Sequence, residues 1–237
     1  MIYFATVYTS LKNSKNGLVI ITKLGINMNQ LQRLWWRYKL RNHSNHFLFE
    51  RYNGEELVSI DCETTSLDPN HAELVSIAAI KIKQNRVLTS QTIHLKLRPP
   101  HNLTSESVKI HQLRHHDLSH GLSEKDAIIQ LLQFIGNRPI VGYHIHYDKK
   151  ILDRSCLRHC GHPFPNRLIE VCHIYHHKLE CLLPNAYYDL SIEAISTHLD
   201  LPQAERHDAL QDAIAAALIY VRLHYGDFPE LPTPRAL

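Results

Sequence analysis

The amino-acid sequence predicts an α/β fold in which a mixed β-sheet is flanked by helices. Three apolar, strand-like segments come first and fit an antiparallel meander. Helical patterns then alternate with short apolar strands, which is typical of parallel βα units. With 237 residues, of which 44% are hydrophobic, the chain is long enough for one such domain and a short appendage.

The individual elements follow from hydrophobic period and from capping residues. A helix is predicted over Glu124–Ile135, with Ser123 as its N-cap, and an Ala-rich helix is predicted from Asp208 to about His224. Further helices are expected over about Asp148–Cys160 and after Asp189. The predicted strands are Leu57–Asp61, Leu74–Ile82, Thr92–Leu97, Pro139–Tyr143 and Leu168–Val171.

Charge divides the chain into a basic beginning and a mildly acidic body. Residues 1–50 carry a net charge of +6, and residues 51–237 carry −3. A basic appendage suggests an anionic partner such as nucleic acid or a membrane surface, with a solvated helix face as the alternative. The segments expected are an N-terminal stretch without clear pattern over 1–27, a basic helical extension over 28–50, the main domain over 51–228 and a tail over 229–237.

Membrane insertion and secretion are not expected. The apolar runs near the start are far shorter than the roughly 18 residues of a membrane span, and five scattered cysteines are unlike a disulfide framework. We therefore expect a cytoplasmic protein without membrane association. Met28, the second of two methionines, is a hypothetical translation start that the intact mass of the native protein would test.

Acidic residues follow two of the predicted strands. Asp61 and Glu63 alternate at the end of the first strand, so their carboxylates lie on the same side of the chain. Such a pair suits a hard cation, Mg²⁺ or Mn²⁺, although a solvated strand end is the common alternative. Asp148 follows a later apolar strand, where it either caps the next helix or faces a site at the strand ends.

A histidine and an aspartate occur five residues apart near the final helix. On one straight helix His207 and Asp212 would point about 140° apart, so they could not share a site. We infer that His207 precedes the helix, that Asp208 caps it, and that Asp212 lies in its first turns. A charged helix start is the alternative interpretation.

Together, Asp61-x-Glu63-Thr-Thr, the apolar segment before Asp148 and His207-x-Ala-x-x-Asp212 resemble the DEDD family of 3′-to-5′ exonucleases, in its histidine branch. The likeness includes the epsilon-type exonuclease domains of bacterial DNA polymerase III and runs from about Leu57 to His224. It implies a ribonuclease H-like fold and two divalent ions, Mg²⁺ or Mn²⁺.

The resemblance also implies a role for each residue. Asp61, Glu63 and Asp212 would hold one metal ion, Asp61 and Asp148 the other, and His207 would be the general base. The expected reaction releases nucleoside 5′-monophosphates from single-stranded DNA, as in proofreading or repair. Thr64, Thr65 and Leu67 are candidate contacts to the terminal nucleotide, with turn formation as an alternative for the threonines.

The sequence departs from the family pattern around these motifs. Ser66 stands where a glycine is usual, and Tyr143 and His144 replace a common His-Asn pair. Both changes concern substrate placement more than metal binding.

Three other interpretations remain open. A structural zinc site would draw on scattered residues with unusual spacing, namely Cys156, Cys160, His162, Cys172, His173, His176 and His177. A non-catalytic nucleic-acid-binding subunit of a polymerase complex is a second possibility, and an exoribonuclease of the same family is a third. A polymerase is a candidate partner, and Trp35, Trp36, Phe47 and Phe49 either anchor a partner or pack the extension on its own domain.

Overall fold

A five-stranded mixed sheet forms the centre of the computed structural model, which describes residues 30–203 and 207–230. The strands are β1 (Glu56–Thr64), β2 (Leu74–Lys83), β3 (Arg86–Lys96), β4 (Ile140–Gly142) and β5 (Leu168–Glu170). Their order is β3-β2-β1-β4-β5. The first three pair antiparallel, whereas β4 runs parallel to β1 and β5 runs parallel to β4. The predicted mixed sheet is confirmed.

Helices cover both faces of this sheet. They are α1 (Gln30–Lys39), α2 (Ser105–His111), α3 (His115–Leu118), α4 (Glu124–Ile135), α5 (Ile145–Cys160), α6 (Val171–Leu182), α7 (Ile192–His198) and α8 (Ala209–Tyr225), with a 3-10 helix over Ser44–Phe49. Among the described residues, no helix has the length and apolar character needed to cross a bilayer.

Two hydrophobic cores lie on opposite faces of the sheet. Val58 and Ile60 of β1 join one core with α4 and α5, and Ile80 and Ile82 of β2 join the other with α6, α7 and α8. Each fully buried Ile contributes roughly 1.5–3 kcal/mol through removal of its side chain from water. The second core holds α8 against β1 and β2, which brings the start of that helix to the carboxyl end of β1.

Capping confirms the two helices that the sequence predicts best. The Ser123 hydroxyl accepts the backbone N–H of Asp126 at 3.1 Å, at the start of α4. The carboxylate of Asp208 accepts the backbone N–H groups of Leu210 and Gln211, both at 3.0 Å, at the start of α8.

Two predicted boundaries were wrong for local reasons. The third strand begins at Arg86, not Thr92, because a tight turn at Gln84 (φ 53°) pairs Lys83 directly with Arg86. Its first residues are largely exposed, so they carry little hydrophobic alternation. Helix α5 begins at Ile145, three residues before the predicted start, because β4 ends at Gly142 and His144 turns the chain with φ 54°.

Several helices were not predicted. Val171 was assigned to a strand, but it begins α6, whose N-terminus is capped by the carboxylate of Glu170 through the backbone N–H of Cys172 at 3.3 Å. Helix α2 was missed because it is short, although Thr104 and Ser107 form a capping box at its start.

The basic extension packs partly on the main domain. Trp36 and Phe49 are buried and stack with ring centroids 6.1 Å apart, whereas Trp35 and Phe47 are exposed. Residues 1–27 and Met28 lie outside the described residues, as does the tail after residue 230.

Candidate active site

The carboxyl end of β1 presents two acids on one side of the strand. Asp61 and Glu63 pair with Ala78 and Ser76 of β2 and alternate with Cys62, which is buried in the core on the other side. The β1–β2 register shifts directly after Glu63, so regular pairing ends at the acids. Strand alternation therefore aims both carboxylates at one point, as the sequence predicts.

Asp212 completes a group of three carboxylates. It lies in the first turn of α8 and is 7% exposed. One oxygen from each of Asp61, Glu63 and Asp212 lies within 4.8 Å of the other two. Three carboxylates this close repel one another unless a cation lies between them, and oxygen donors are those that Mg²⁺ and Mn²⁺ prefer. The donor set therefore fits a hard divalent ion.

His207 lies just before Asp208, the N-cap of α8, as the sequence predicts. It adopts the left-handed conformation with φ 67°, and its backbone N–H donates to the Asp212 carboxylate at 3.2 Å. Its side chain is exposed. The contact between the two residues thus uses the backbone of His207 and the side chain of Asp212. The imidazole of His207 remains accessible to solvent at the start of the helix.

Asp148 lies beside this group, in the first turn of α5, and is 4% exposed. Burial is the main cause that raises the pKa of its carboxyl to about 7; the nearby Glu170 carboxylate acts in the same direction, and hydrogen bonds from Cys62 oppose the shift. Asp148 therefore contacts Cys62, the residue between Asp61 and Glu63 on β1. Asp148 is not one of the three clustered carboxylates, but it adjoins the strand that carries two of them.

The chain directly after β1 forms the rim of the site. Thr65 is buried and its hydroxyl accepts the backbone N–H of Glu73 at 3.0 Å, which ties the turn to the segment before β2. Leu67 is 86% exposed, so its whole side chain is available for contact. The Thr64 hydroxyl donates to the carbonyl oxygen of Ser66 at 3.1 Å and so shapes the turn.

Sequence reasoning missed two residues that shape the site. The Tyr147 hydroxyl lies 2.6 Å from the Thr64 hydroxyl and contacts the carbonyl oxygen of Ser66. Glu170 accepts the backbone N–H of His144 at 2.9 Å and so fixes the turn before α5. The sequence does carry a signal for Tyr147, because this residue directly precedes Asp148, which was predicted to lie at the strand ends of the site.

The candidate zinc ligands do not come together in the described part of the chain. Within residues 30–203 and 207–230, the group of at least three His, Cys, Asp or Glu side chains with the required proximity is the carboxylate group just described. Cys156 is buried on α5 and Cys172 is buried on α6. Burial raises the pKa of both thiols, which disfavours the thiolate that zinc binds.

The family model that matches this chain describes an exonuclease of the RNase T type and covers residues 58–220. The DNA polymerase III subunit epsilon of Rickettsia prowazekii is 28% identical over 172 residues, which are 71% of this chain and 74% of that protein. The DNA polymerase III PolC-type of Thermotoga petrophila is 25% identical over 77% of this chain, but the match spans only 13% of the relative.

Solved structures share the fold. E. coli Exonuclease I in complex with a dT13 oligonucleotide superposes with a TM-score of 0.62 at 14% identity, over 73% of this chain and 41% of that chain. The cell-death related nuclease CRN-4 superposes with a TM-score of 0.59 at 19% identity, over 71% of this chain and 63% of that chain. The expected ribonuclease H-like fold is thereby confirmed.

Proposed function

Because the chain belongs to the RNase T exonuclease family, we propose that it is a metal-dependent 3′-to-5′ exonuclease that releases nucleoside 5′-monophosphates from single-stranded DNA. The observation that carries this proposal is the approach of Asp61, Glu63 and Asp212 to within 4.8 Å at the end of β1. Hydrolysis of a phosphodiester near neutral pH needs concentrated positive charge at the phosphate, and such a group of acids serves to hold it.

Exonucleases of this family use divalent metal ions, and the proposed ions here are two Mg²⁺ or Mn²⁺. Asp61, Glu63 and Asp212 would hold one ion, and Asp61 and Asp148 would hold the other. When bound, such ions activate the attacking water and stabilise charge on the phosphate and on the leaving 3′ oxygen. Asp148 must be ionised to bind a cation, so its high metal-free pKa couples ion binding to release of a proton.

His207 is proposed as the general base. Histidine is the side chain that most often serves as a general base, and such proton transfer contributes roughly 10² to 10⁴ in rate. Its exposed side chain is free to meet a water molecule at the substrate phosphate. The hydrogen bond from its backbone to Asp212 supports this role because it keeps the base next to the acids.

The polymer and the partner are inferred from relatives. DNA is the proposed substrate for two reasons. The relatives include epsilon subunits of DNA polymerase III, and E. coli Exonuclease I, which has the same fold, was solved in complex with a dT13 oligonucleotide. Thr64, Thr65 and Leu67 are the proposed contacts to the terminal nucleotide. A DNA polymerase is the proposed partner, and RNA is the alternative substrate.

Degradation of 5′-labelled single-stranded DNA and RNA tests this proposal. We expect a ladder that shortens from the 3′ end with Mg²⁺ or Mn²⁺ and stops with chelator. Asp61→Asn and His207→Ala should lose at least about 100-fold in rate. Glu55→Gln, a change at an exposed position at the other end of β1, serves as the control with normal activity. Faster degradation of RNA than of DNA would favour the alternative substrate, and an inactive folded protein would contradict the proposal.

A further inference from the structure

Helix α1 is fixed to the domain by one of its sides. Trp36 and Leu40 are buried in the core that contains β1. The Arg33 guanidinium donates to the carbonyl oxygens of Leu48 at 3.2 Å and Glu50 at 3.0 Å, and it also contacts the carbonyl oxygen of Pro165. These contacts hold the opposite side of the helix in a defined orientation towards solvent.

The solvent side of α1 combines aromatic rings with cations. Trp35 is 43% exposed and Tyr38 is 69% exposed. Lys39 Nζ lies 5.0 Å from the centroid of the Trp35 ring, and the Arg41 guanidinium carbon lies 4.7 Å from that of Tyr38. Each exposed ring of this helix is therefore paired with a positive charge. We call these four residues, of which Arg41 follows the helix by two positions, together with the exposed Arg37, the α1 face.

The positive charge of the α1 face is not neutralised within the described part of the chain. The sequence from residue 30 to residue 49 contains no Asp or Glu. Among the described residues, no carboxylate forms an ion pair with Arg37, Lys39 or Arg41. Unneutralised arginines and lysines on a rigid surface attract a polyanion.

We propose that the α1 face binds single-stranded DNA upstream of the 3′ end that enters the active site. This inference rests on the proposed function, because it assigns a second contact to the same substrate strand. Rings that stack with bases and cations that neutralise adjacent phosphates are the two features that single-strand-binding surfaces combine. Exposed Leu31 and Leu34 would also suit an apolar protein partner, but the pairing of each ring with a cation favours nucleic acid.

The position of the α1 face makes the proposal specific. Its anchors, Glu50 and Pro165, precede β1 and β5, so α1 lies near the amino ends of these strands. Asp61 and Glu63 lie five and seven residues along β1 from its first residue, Glu56, which is roughly 17–23 Å at about 3.3 Å per residue. A dinucleotide cannot span both places. The α1 face should therefore strengthen the binding of long strands only.

Tryptophan fluorescence reports on the α1 face without a label, because both tryptophans of the chain, Trp35 and Trp36, lie on α1. The full-length protein is titrated with a thymidine dinucleotide and with an oligothymidylate of about 16 nucleotides, the upper end of the site sizes of single-strand-binding folds. Chelator prevents hydrolysis. We expect the long strand to quench the emission and the short strand to leave it unchanged, with affinity measured in parallel by anisotropy of a 5′-labelled strand.

A matched pair of variants tests the charges. Arg37→Glu with Arg41→Glu should weaken binding of the long strand at least about tenfold and lower its logarithmic salt slope by about 1.4, for two lost phosphate contacts. Binding of the short strand should not change. Lys83→Glu with Arg86→Glu alters the net charge equally, at exposed positions of the β2–β3 turn, and should behave as wild type.

The outcomes separate this inference from the proposed activity. Equal long-strand affinity in the two double variants, or binding without any change in tryptophan emission, would overturn the α1 face as a DNA site. A wild-type protein that shows the expected binding and yet hydrolyses no strand after Mg²⁺ or Mn²⁺ is added would contradict the proposed activity and leave the α1 face supported.

Discussion

The hydroxyl of Tyr147 lies 2.6 Å from the hydroxyl of Thr64, a contact between residues 83 positions apart in the sequence. The same tyrosine hydroxyl contacts the carbonyl oxygen of Ser66. Burial raises the pKa of Tyr147, so the phenol stays protonated and can donate at neutral pH. The start of α5 is thereby tied to the turn that is proposed to meet the terminal nucleotide.

Removal of this hydroxyl should affect substrate binding more than chemistry. In Tyr147→Phe the ring remains and the turn loses a hydrogen bond of about 0.5–1.5 kcal/mol, so we expect KM for DNA to rise about 2- to 10-fold with little change in kcat. Tyr52→Phe is the control, since Tyr52 accepts the backbone N–H of Glu56 at 3.0 Å at the far end of β1. A drop in kcat with unchanged KM would contradict a role in holding the turn.

The clustered carboxylates should destabilise the metal-free protein. In Asp212→Asn one of three mutually repelling charges is removed, so we expect the free energy of unfolding in chelator to rise by about 1 kcal/mol. Wild type should gain about 2.7 kcal/mol when Mg²⁺ is present at roughly 100 times its Kd, and the variant should gain much less. Urea unfolding with and without Mg²⁺ measures both. Equal stabilisation of the two proteins by Mg²⁺ would argue against a cation at these acids.

Asp148 should make the metal-free protein less stable as pH rises. Its pKa in the folded state is about 7, above the ordinary value of 3.8, so the folded chain binds more protons than the unfolded chain between these values. Stability that this group contributes at low pH is lost as pH rises from about 4 to 7, by up to about 1.4 kcal/mol per pH unit. Asp148→Asn should flatten this slope in chelator. If the free energies of unfolding of the variant and of wild type change in parallel with pH, the pKa of Asp148 is not raised by burial.

A buried ion pair on α5 should be sensitive to the loss of one partner. Lys149 and Asp153 are 4% and 5% exposed and form an ion pair one helical turn apart, and Asp153 also accepts the backbone N–H of Phe164 at 2.9 Å. Lys149→Met leaves a buried carboxylate without its cation, so we expect a loss of about 3–5 kcal/mol in the free energy of unfolding. Adding Asp153→Leu should recover much of that loss. A double variant less stable than the single one would mean that the bond to Phe164 matters more than the charge pair.

Local signals account for the elements that were predicted correctly. Helix α4 was predicted with its limits and its Ser123 cap because the apolar positions and the capping residue agree. Helix α6 was missed because histidines and a lysine interrupt its apolar positions, and because its start is set by Glu170, whose carboxylate also accepts the backbone N–H of His144. That second partner lies 26 residues away, so hydrophobic period alone cannot reveal it.

The residues of the site likewise divide into those placed by local sequence signals and those placed by tertiary packing. Asp61 and Glu63 share one side because strands alternate, which the sequence determines locally. Their approach to Asp212 depends on the packing of α8 across β1 and β2, and the order of motifs along the chain indicated it only through family resemblance. The burial of Asp148 against Cys62 and the contact of Tyr147 with Thr64 arise from tertiary packing, and the only local signal for Tyr147 is its position directly before Asp148.

The most direct test of the proposed activity is the identity of the first product released from a single-stranded DNA that carries labels of different kind at its two ends. We expect the 3′-terminal nucleoside 5′-monophosphate to appear first, at a rate independent of the 5′ label, with Mg²⁺ or Mn²⁺ required and with the activity lost in Asp212→Asn. Release of internal fragments, loss of nucleotides from the 5′ end, or undiminished activity in that variant would contradict the account.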